Sequence, residues 1–166
     1  MALESGLDKS NPRYVASIWD NKGYVLNEMG ECEGAKESCD KALDFDRKYS
    51  SAWHNKIYAS LYIGLKTLKK SIFANTASIF KTALSEVDNK EEFIAKINRS
   101  IISWFKKVIF ECNINSKEEL ILLLNEFEET FRGLNMKIPS PEEIKKECIR
   151  SEKYEKNKDK VERIFG

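Results

Sequence analysis

The chain is poor in the residues that interrupt or cross-link a fold. Of its 166 residues, three are prolines and seven are glycines, and His54 is the one histidine. The four cysteines are Cys32, Cys39, Cys112 and Cys148, and no two of them have Cys-x-x-Cys spacing. This spacing argues against a zinc site or a redox dithiol. We expect four reduced thiols in a cytoplasmic chain.

Long apolar runs and an excess of one charge are also missing. No segment reaches 18 apolar residues, so the sequence predicts no membrane span. The start, Met1 to Glu4, lacks the basic and apolar regions of a signal peptide. The net charge is +1, and acids and bases are interspersed along the chain. We therefore predict a soluble, cytoplasmic protein with no membrane partner, and the charge pattern argues against nucleic acid as a partner.

The motifs of the common catalytic sites do not occur. The chain has neither of the glycine-rich phosphate-binding patterns and no H-E-x-x-H zinc motif. A histidine-based site would depend on His54 alone. Adjacent glutamates such as Glu118 and Glu119 point to different sides of a helix. We predict no enzyme, no catalytic residue, no cofactor and no metal.

Apolar residues recur with helical spacing through most of the chain. The pattern predicts helices over 14–29, 32–46, 50–63 and about 66–87. Capping boxes starting at Asp88, Ser116 and Ser140 predict three more. We thus expect an all-α fold of about seven helices, with Gly64 and Gly133 among the helix ends. The run 120–124 is apolar on every side, which predicts a fully buried helix.

Several residues recur after 34 positions, including Trp19 and Trp53, and Gly30 and Gly64. A helix–turn–helix period of this length is typical of tetratricopeptide repeats (TPR). Residues 16–49 resemble that family, and the resemblance covers 14–64 well and 65–83 poorly. It implies hairpins of antiparallel helices that approach closely at small side chains. The residues expected to pack the repeat are Trp19, Gly23, Ala35, Ala42 and Trp53.

The domain organisation follows from the limits of the repeat. About three repeats are needed for stability, so something else must cover the open end. We expect one all-α domain over 1–166, with TPR-like repeats at 14–83 and a helical cap at 84–166. The start of the chain looks like the end of a preceding repeat. The chain is then a piece of a longer array, or residues 14–29 expose an apolar flank that a second copy can cover.

The resemblance also implies a binding groove, because the first helix of each TPR hairpin lines a concave surface. A peptide or helix of another protein would bind there, which makes the chain a scaffold or adaptor. The alternative for Tyr24 and Tyr58 is that they pack between helices. The implied groove residues are Ser17, Asp20, Tyr24, Asn27, His54, Asn55, Tyr58 and Leu61.

Two other functions stay open. The chain is a structural segment or end-cap of a larger assembly, including a homodimer, or it associates weakly with nucleic acid or a ribonucleoprotein. The second alternative would use two lysine clusters and the aromatic residues beside one of them. Ordinary amphipathic helices with charged outer faces explain the same pattern. The residues concerned are Lys66, Lys69, Lys70, Lys106, Lys107, Trp104 and Phe105.

Overall fold

The computed structural model describes residues 10–67, 70–112 and 114–166, without the side chains of 70–72. In these residues the chain is all-helical and has no strand, as predicted. The described ranges contain eight helices: α1 (Pro12–Glu28), α2 (Cys32–Phe45), α3 (Ser50–Thr67), α4 (Lys70–Glu86), α5 (Lys90–Glu111), α6 (Lys117–Thr130), α7 (Pro141–Ile149) and α8 (Tyr154–Phe165). None of the helices in the described ranges is long and apolar enough to cross a membrane. The predictions for Met1 to Glu4 and for Lys69 lie outside the described residues, as does that for the side chain of Lys70.

The eighth helix arises from a break after α7. Arg150 caps α7, and the backbone N–H of Tyr154 donates to the Ser151 carbonyl at 2.9 Å, which forms a turn before α8. The apolar residues near the end of α8 are buried: Val161, Ile164 and Phe165.

Three predicted helix boundaries are corrected by the structure. Gly64 does not end α3, which continues to Thr67. A glycine ends a helix by adopting the left-handed conformation, as Gly30 does after α1 with φ of 78°. Gly133 also has a positive φ, 81°, but α6 ends before it, at Thr130. The start of α5 is capped one residue later than predicted. The backbone N–H of Glu92 donates to Asn89 Oδ1 at 3.0 Å, so Asn89 takes the place expected of Asp88.

The prediction of a fully buried run over 120–124 is wrong. Leu120, Leu123 and Leu124 are buried, whereas Ile121 and Leu122 are 40% and 64% exposed. The reason is helical geometry. The buried residues continue to Phe127 with spacings of three and four, which is the single stripe that one packing face accommodates.

The described residues form two compact units. Unit 1 comprises the described part of Met1–Ser60 together with Ser78–Phe93. Its interior contains the two repeat tryptophans and an aromatic pair, Phe80 and Phe93, whose ring centroids are 6.0 Å apart. Arg47 pairs with Glu86 at 3.0 Å on its surface.

Unit 2 comprises Leu61–Ala77 and Ile94–Gly166. A cluster of three rings forms part of its core: Phe127 lies 5.3 Å from Phe105 and 4.5 Å from Phe131 between centroids. The Asn98 side chain holds the loop before α7, since it donates to the Asn135 carbonyl and accepts from the Lys137 N–H at 2.8 Å. Whether 84–166 acts as a cap on the repeats stays a prediction.

The hairpin of α1 and α2 packs at the small residues that the sequence singles out. A Cβ placed on Gly23 would lie 2.8 Å from Cys39 Sγ and 3.2 Å from the Ala35 carbonyl oxygen. Ala35, Cys39 and Ala42 are completely buried, and Trp19 is nearly so. A side chain at position 23 would force Cys39 to shift, because real Cβ atoms essentially never lie 2.8 Å from another atom, and the Ala35 carbonyl would also have to move by a few tenths of an ångström.

The close approach predicts opposite effects for two glycine substitutions. We expect Gly23→Ala to lower the free energy of unfolding by about 1–2 kcal/mol, because overpacking outweighs the gain in helix propensity. Gly34→Ala is the matched control on α2, since its Cβ would meet Leu26 at an ordinary 3.5 Å. This control is expected to be neutral or stabilising. Chemical denaturation measures both variants, and equal stability of the two would refute the tight contact.

Candidate protein-interaction site

The eight predicted groove residues differ widely in their exposure. Five of them are buried, and Ser17 and His54 are half-buried. Tyr24 stands apart, because 54% of it is exposed. The buried members are Asp20, Asn27, Asn55, Tyr58 and Leu61.

Three of the buried residues form a polar network between α1 and α3. The Asn55 side chain donates to Asp20 Oδ1 at 2.7 Å, and the Asn27 side chain donates to the main-chain carbonyl of Asn55 at 3.0 Å. Buried polar groups are costly unless they are hydrogen-bonded. The network therefore fixes how α1 and α3 meet, and it does not offer these side chains to a ligand.

The accessible part of the predicted groove is thus reduced to Ser17, Tyr24 and His54. The Ser17 hydroxyl donates to the Tyr14 carbonyl at 2.7 Å, so its oxygen is left to accept. Tyr58, at 8% exposure, fits the alternative that it packs between helices, whereas Tyr24 does not. Tyr24 is the predicted residue with the most surface for a partner.

Helix α1 also exposes apolar side chains that the groove prediction does not include. Tyr14, Val25 and Met29 are each more than half exposed. Together with Tyr24 they are four of the seven large hydrophobic residues that are exposed in the described part of the chain. The signal in the sequence is the spacing of Tyr14, Ile18, Val25 and Met29, which places them on one side of a helix. We call Tyr14, Ile18, Val25 and Met29 the α1 flank; Tyr24 is not part of it.

The two repeat tryptophans share their burial and differ in hydrogen bonding. The Trp53 indole N–H donates to the Arg47 carbonyl, in the loop between α2 and α3, at 2.7 Å. The buried Trp19 indole N–H has no acceptor among the described residues. The Lys41 and Lys22 ammonium groups lie over its ring, 4.3 and 5.2 Å from the centroid, and the Lys56 ammonium lies over the Trp53 ring in the same way, at 5.3 Å. Trp19 and Trp53 are thus equivalent in burial and in the lysine three residues further on, and they differ in the indole hydrogen bond.

A polar cleft of about 230 Å³ lies beside Trp53 in unit 1. Three of the four charged residues that line it form ion pairs, Lys56 with Asp40 and Arg47 with Glu86. A ligand would have to compete with these ion pairs, so the exposed surface of α1 is a better candidate for a binding site than this cleft.

The lysine cluster in unit 2 lacks the accessible aromatic rings of a nucleic-acid surface. Trp104 and Phe105 are buried, so neither ring can stack on a base. Lys106 pairs with Glu147 at 3.0 Å, and the Lys107 ammonium lies 5.3 Å from the Tyr62 ring centroid. These contacts are those of an ordinary amphipathic helix.

The cysteines are buried thiols. Burial, together with the nearby carboxylates of Asp20 and Asp40, raises the pKa of Cys39 to about 12. Burial raises the pKa of Cys148 to about 11. All four cysteines are free. Within the described ranges, no group of three or more histidine, cysteine or acidic residues is arranged to hold a metal.

No family model matches the chain, and no match was found among curated proteins or solved structures. Membership of the TPR family therefore stays a prediction.

Removing the Asn55 side chain tests the polar network. We expect Asn55→Ala to lower the free energy of unfolding by about 2 kcal/mol, because the buried Asp20 carboxylate loses a donor. Asn125→Ala, at an exposed position of α6, should change it by less than about 0.5 kcal/mol. A double-mutant cycle with Asp20→Ala should show coupling of about 1 kcal/mol. Additive effects would show that the two side chains do not stabilise each other.

The raised thiol pKa values predict slow alkylation of the native protein. A raised pKa favours the neutral thiol, and the thiolate is the form that reacts. At pH 8 we expect iodoacetamide to modify Cys39 about 1,000-fold and Cys148 about 100-fold more slowly in the folded protein than in guanidinium. Mass spectrometry of timed samples measures both rates. Equal rates in the two conditions would contradict the burial of these thiols.

Proposed function

We propose that the chain is a protein-interaction module, a TPR-like scaffold that binds a peptide or helix of another protein. The observation that carries this proposal is the exposure of Tyr24, which is 54% exposed on a helix that is packed on two other sides. An exposed aromatic side chain with a polar tip is typical of peptide-recognition surfaces.

The packing of unit 1 makes α1 a suitable platform. Its inner side is held against α2 at Gly23, and a second side is hydrogen-bonded to α3 through Asp20 and Asn27. A helix fixed in this way keeps Tyr24 in a constant position, on the same side of α1 as Ser17, two turns away. Tyrosine supplies a flat apolar ring with a polar tip and loses little side-chain freedom on binding.

The predicted carriers of binding are Tyr24, Ser17 and His54. The buried members of the predicted groove support the platform and do not touch the peptide. The proposed partner is a peptide or helix with an apolar side chain that packs on the Tyr24 ring and polar atoms that reach Ser17 and His54.

Selection from a phage-displayed library of random peptides tests this function, with two matched tyrosine variants. Tyr24→Ala should weaken binding of the selected peptides about tenfold or more, as loss of a central aromatic residue does. Tyr14→Ala is the control, because Tyr14 has nearly the same exposure, 56% against 54%, and lies on the flank of the same helix. We expect it to leave peptide affinity unchanged. Peptides that bind wild type and Tyr24→Ala equally would contradict the proposed site.

The alternative function, a structural part of a larger assembly or a homodimer, is favoured by a different observation, the exposure of the α1 flank. It concerns other residues than Tyr24, so the two proposals succeed or fail separately.

A further inference from the structure

The α1 flank is an open apolar face on a helix that is otherwise well packed. Tyr14, Ile18, Val25 and Met29 follow one another at spacings of four, seven and four, so they form one line along the helix. Ile18 is half-buried, and the other three are 52–65% exposed. Asn21 lies at the centre of the line. A line of this kind is the usual contact face of a helix that packs on another helix.

The second repeat shows what the same face does where it is covered. Residues 34 positions after Ile18, Asn21 and Val25 are Ala52, Asn55 and Ala59 of α3. Ala52 and Ala59 are completely buried. Between them, the Asn55 side chain donates to Asp20 of α1 at 2.7 Å. The face of α3 that packs on α1 is therefore the positional equivalent of the α1 flank.

The size of the side chains distinguishes the two faces. In α3 these positions are alanines, and small side chains of this kind allow two helices to approach closely, as they do between α1 and α2. In α1, the equivalent positions hold isoleucine and valine. Branched side chains of this size instead suit interdigitation with those of a facing helix. The α1 flank therefore suits a single opposing helix with interdigitating side chains, and not a copy of the close α1–α3 packing.

The order of residues on the flank identifies that helix. The midpoint of the line lies between Asn21 and Lys22, and Tyr14 and Met29 are equally distant from it. The same is true of Ile18 and Val25. When two copies of α1 run antiparallel around this midpoint, Tyr14 of each faces Met29 of the other, and Ile18 faces Val25. A two-fold interface requires such self-complementarity, and sulfur–aromatic contacts are favourable.

The charges at the ends of α1 fit the same arrangement. In the antiparallel pair, Glu28 of one copy and Arg13 of the other lie within about one turn of each other along the helix axis, and the two-fold symmetry repeats this pair. In a single copy the Arg13 guanidinium lies 6.0 Å from the centroid of the Tyr49 ring, so the ion pair forms after this side chain has turned towards the partner. Antiparallel helices also bring opposite ends of their dipoles together. Lys22 lies near the midpoint, but its ammonium group is drawn over the Trp19 ring, on the side of α1 that faces α2.

We propose that a second copy of this chain covers the α1 flank, in an antiparallel homodimer centred between Asn21 and Lys22. One helix from each copy makes an interface at or below the lower end of the usual range, about 1,200 Å² of total buried area, so the dimer is weak. We expect a dissociation constant of about 10–100 µM. The interface leaves the peptide proposal untouched, because its four apolar contacts are other residues than Tyr24.

The oligomeric state of the full chain gives the first test. Sedimentation velocity between about 10 and 500 µM should show wild type passing from monomer to dimer. Val25→Asp should raise the dissociation constant about tenfold or more. Leu122→Asp is the matched control, because Leu122 is an exposed aliphatic residue of α6, and it should dimerise as wild type does. A wild type that stays monomeric, or a dimer lost in Leu122→Asp and kept in Val25→Asp, would overturn the proposal.

Disulfide trapping tests the direction of the two helices. In the antiparallel pair, the two copies of residue 21 lie about 1.5 Å apart along the axis, and those of residue 14 about 22 Å apart. Under mild oxidation, Asn21→Cys should give a covalent dimer and Tyr14→Cys should not. The native thiols contribute little background because all four are buried. If both variants cross-link, the two helices run parallel. If neither variant cross-links, the interface lies elsewhere. Either result overturns the proposal.

A charge exchange tests the register. Arg13→Glu alone should raise the dissociation constant severalfold, and Arg13→Glu combined with Glu28→Arg should restore it. An unchanged thermal midpoint shows that the variants remain folded. If the double variant dimerises no better than the single one, the proposed register is wrong.

Discussion

Helices α1 and α2 approach each other so closely at Gly23 that a methyl group there would collide with Cys39 and with the backbone at Ala35. This constraint determines the rest of unit 1. It fixes the side of α1 that is buried, and with it the side that meets α3 and the side left to solvent. Interiors pack at nearly crystalline density, so a contact of this kind permits one arrangement and excludes those rotated or shifted by a residue.

The three sides of α1 use three kinds of interaction. Towards α2 the contact is apolar and close, between small side chains and Trp19. Towards α3 it is polar, through the bonds of Asn55 with Asp20 and Asn27. The buried polar contact adds direction to the packing, since its two hydrogen bonds form in one alignment of the helices. The solvent side is free of both requirements, and it carries the tyrosines and aliphatic residues on which both functional proposals depend.

Local patterns in the sequence predicted the helices well, because helical periodicity and capping are properties of short segments. The capping box of Ser140 and Glu143 is present as predicted. The boundaries that failed depend on conformation rather than composition: Gly64 remains helical, while Gly30 and Gly133 adopt positive φ. The exposure of individual apolar side chains was harder to predict, because it depends on tertiary packing and not on the local sequence. Ile121 and Leu120 are both apolar neighbours, and only the packing of α6 decides that one of them is exposed.

In the candidate site, too, local features could be predicted from the sequence, whereas burial by neighbouring helices could not. The sequence places Asn27 and Ser17 on one helix as similar polar residues, yet Asn27 is buried in a hydrogen bond to α3 and Ser17 is half-exposed. The 34-residue spacing predicted the equivalence of Trp19 and Trp53. It did not predict that the face around Asn55 would be covered and the face around Asn21 open, because this depends on which helices are available to cover each face.

Nuclear Overhauser effects in solution measure directly how close α1 and α2 lie at Gly23. We expect strong effects between the Gly23 α-protons and the β-protons of Cys39, with weaker ones to Ala35. Their absence, in a protein whose other α1 and α2 resonances are assigned and helical, would show that the two helices stand further apart at Gly23 than described above.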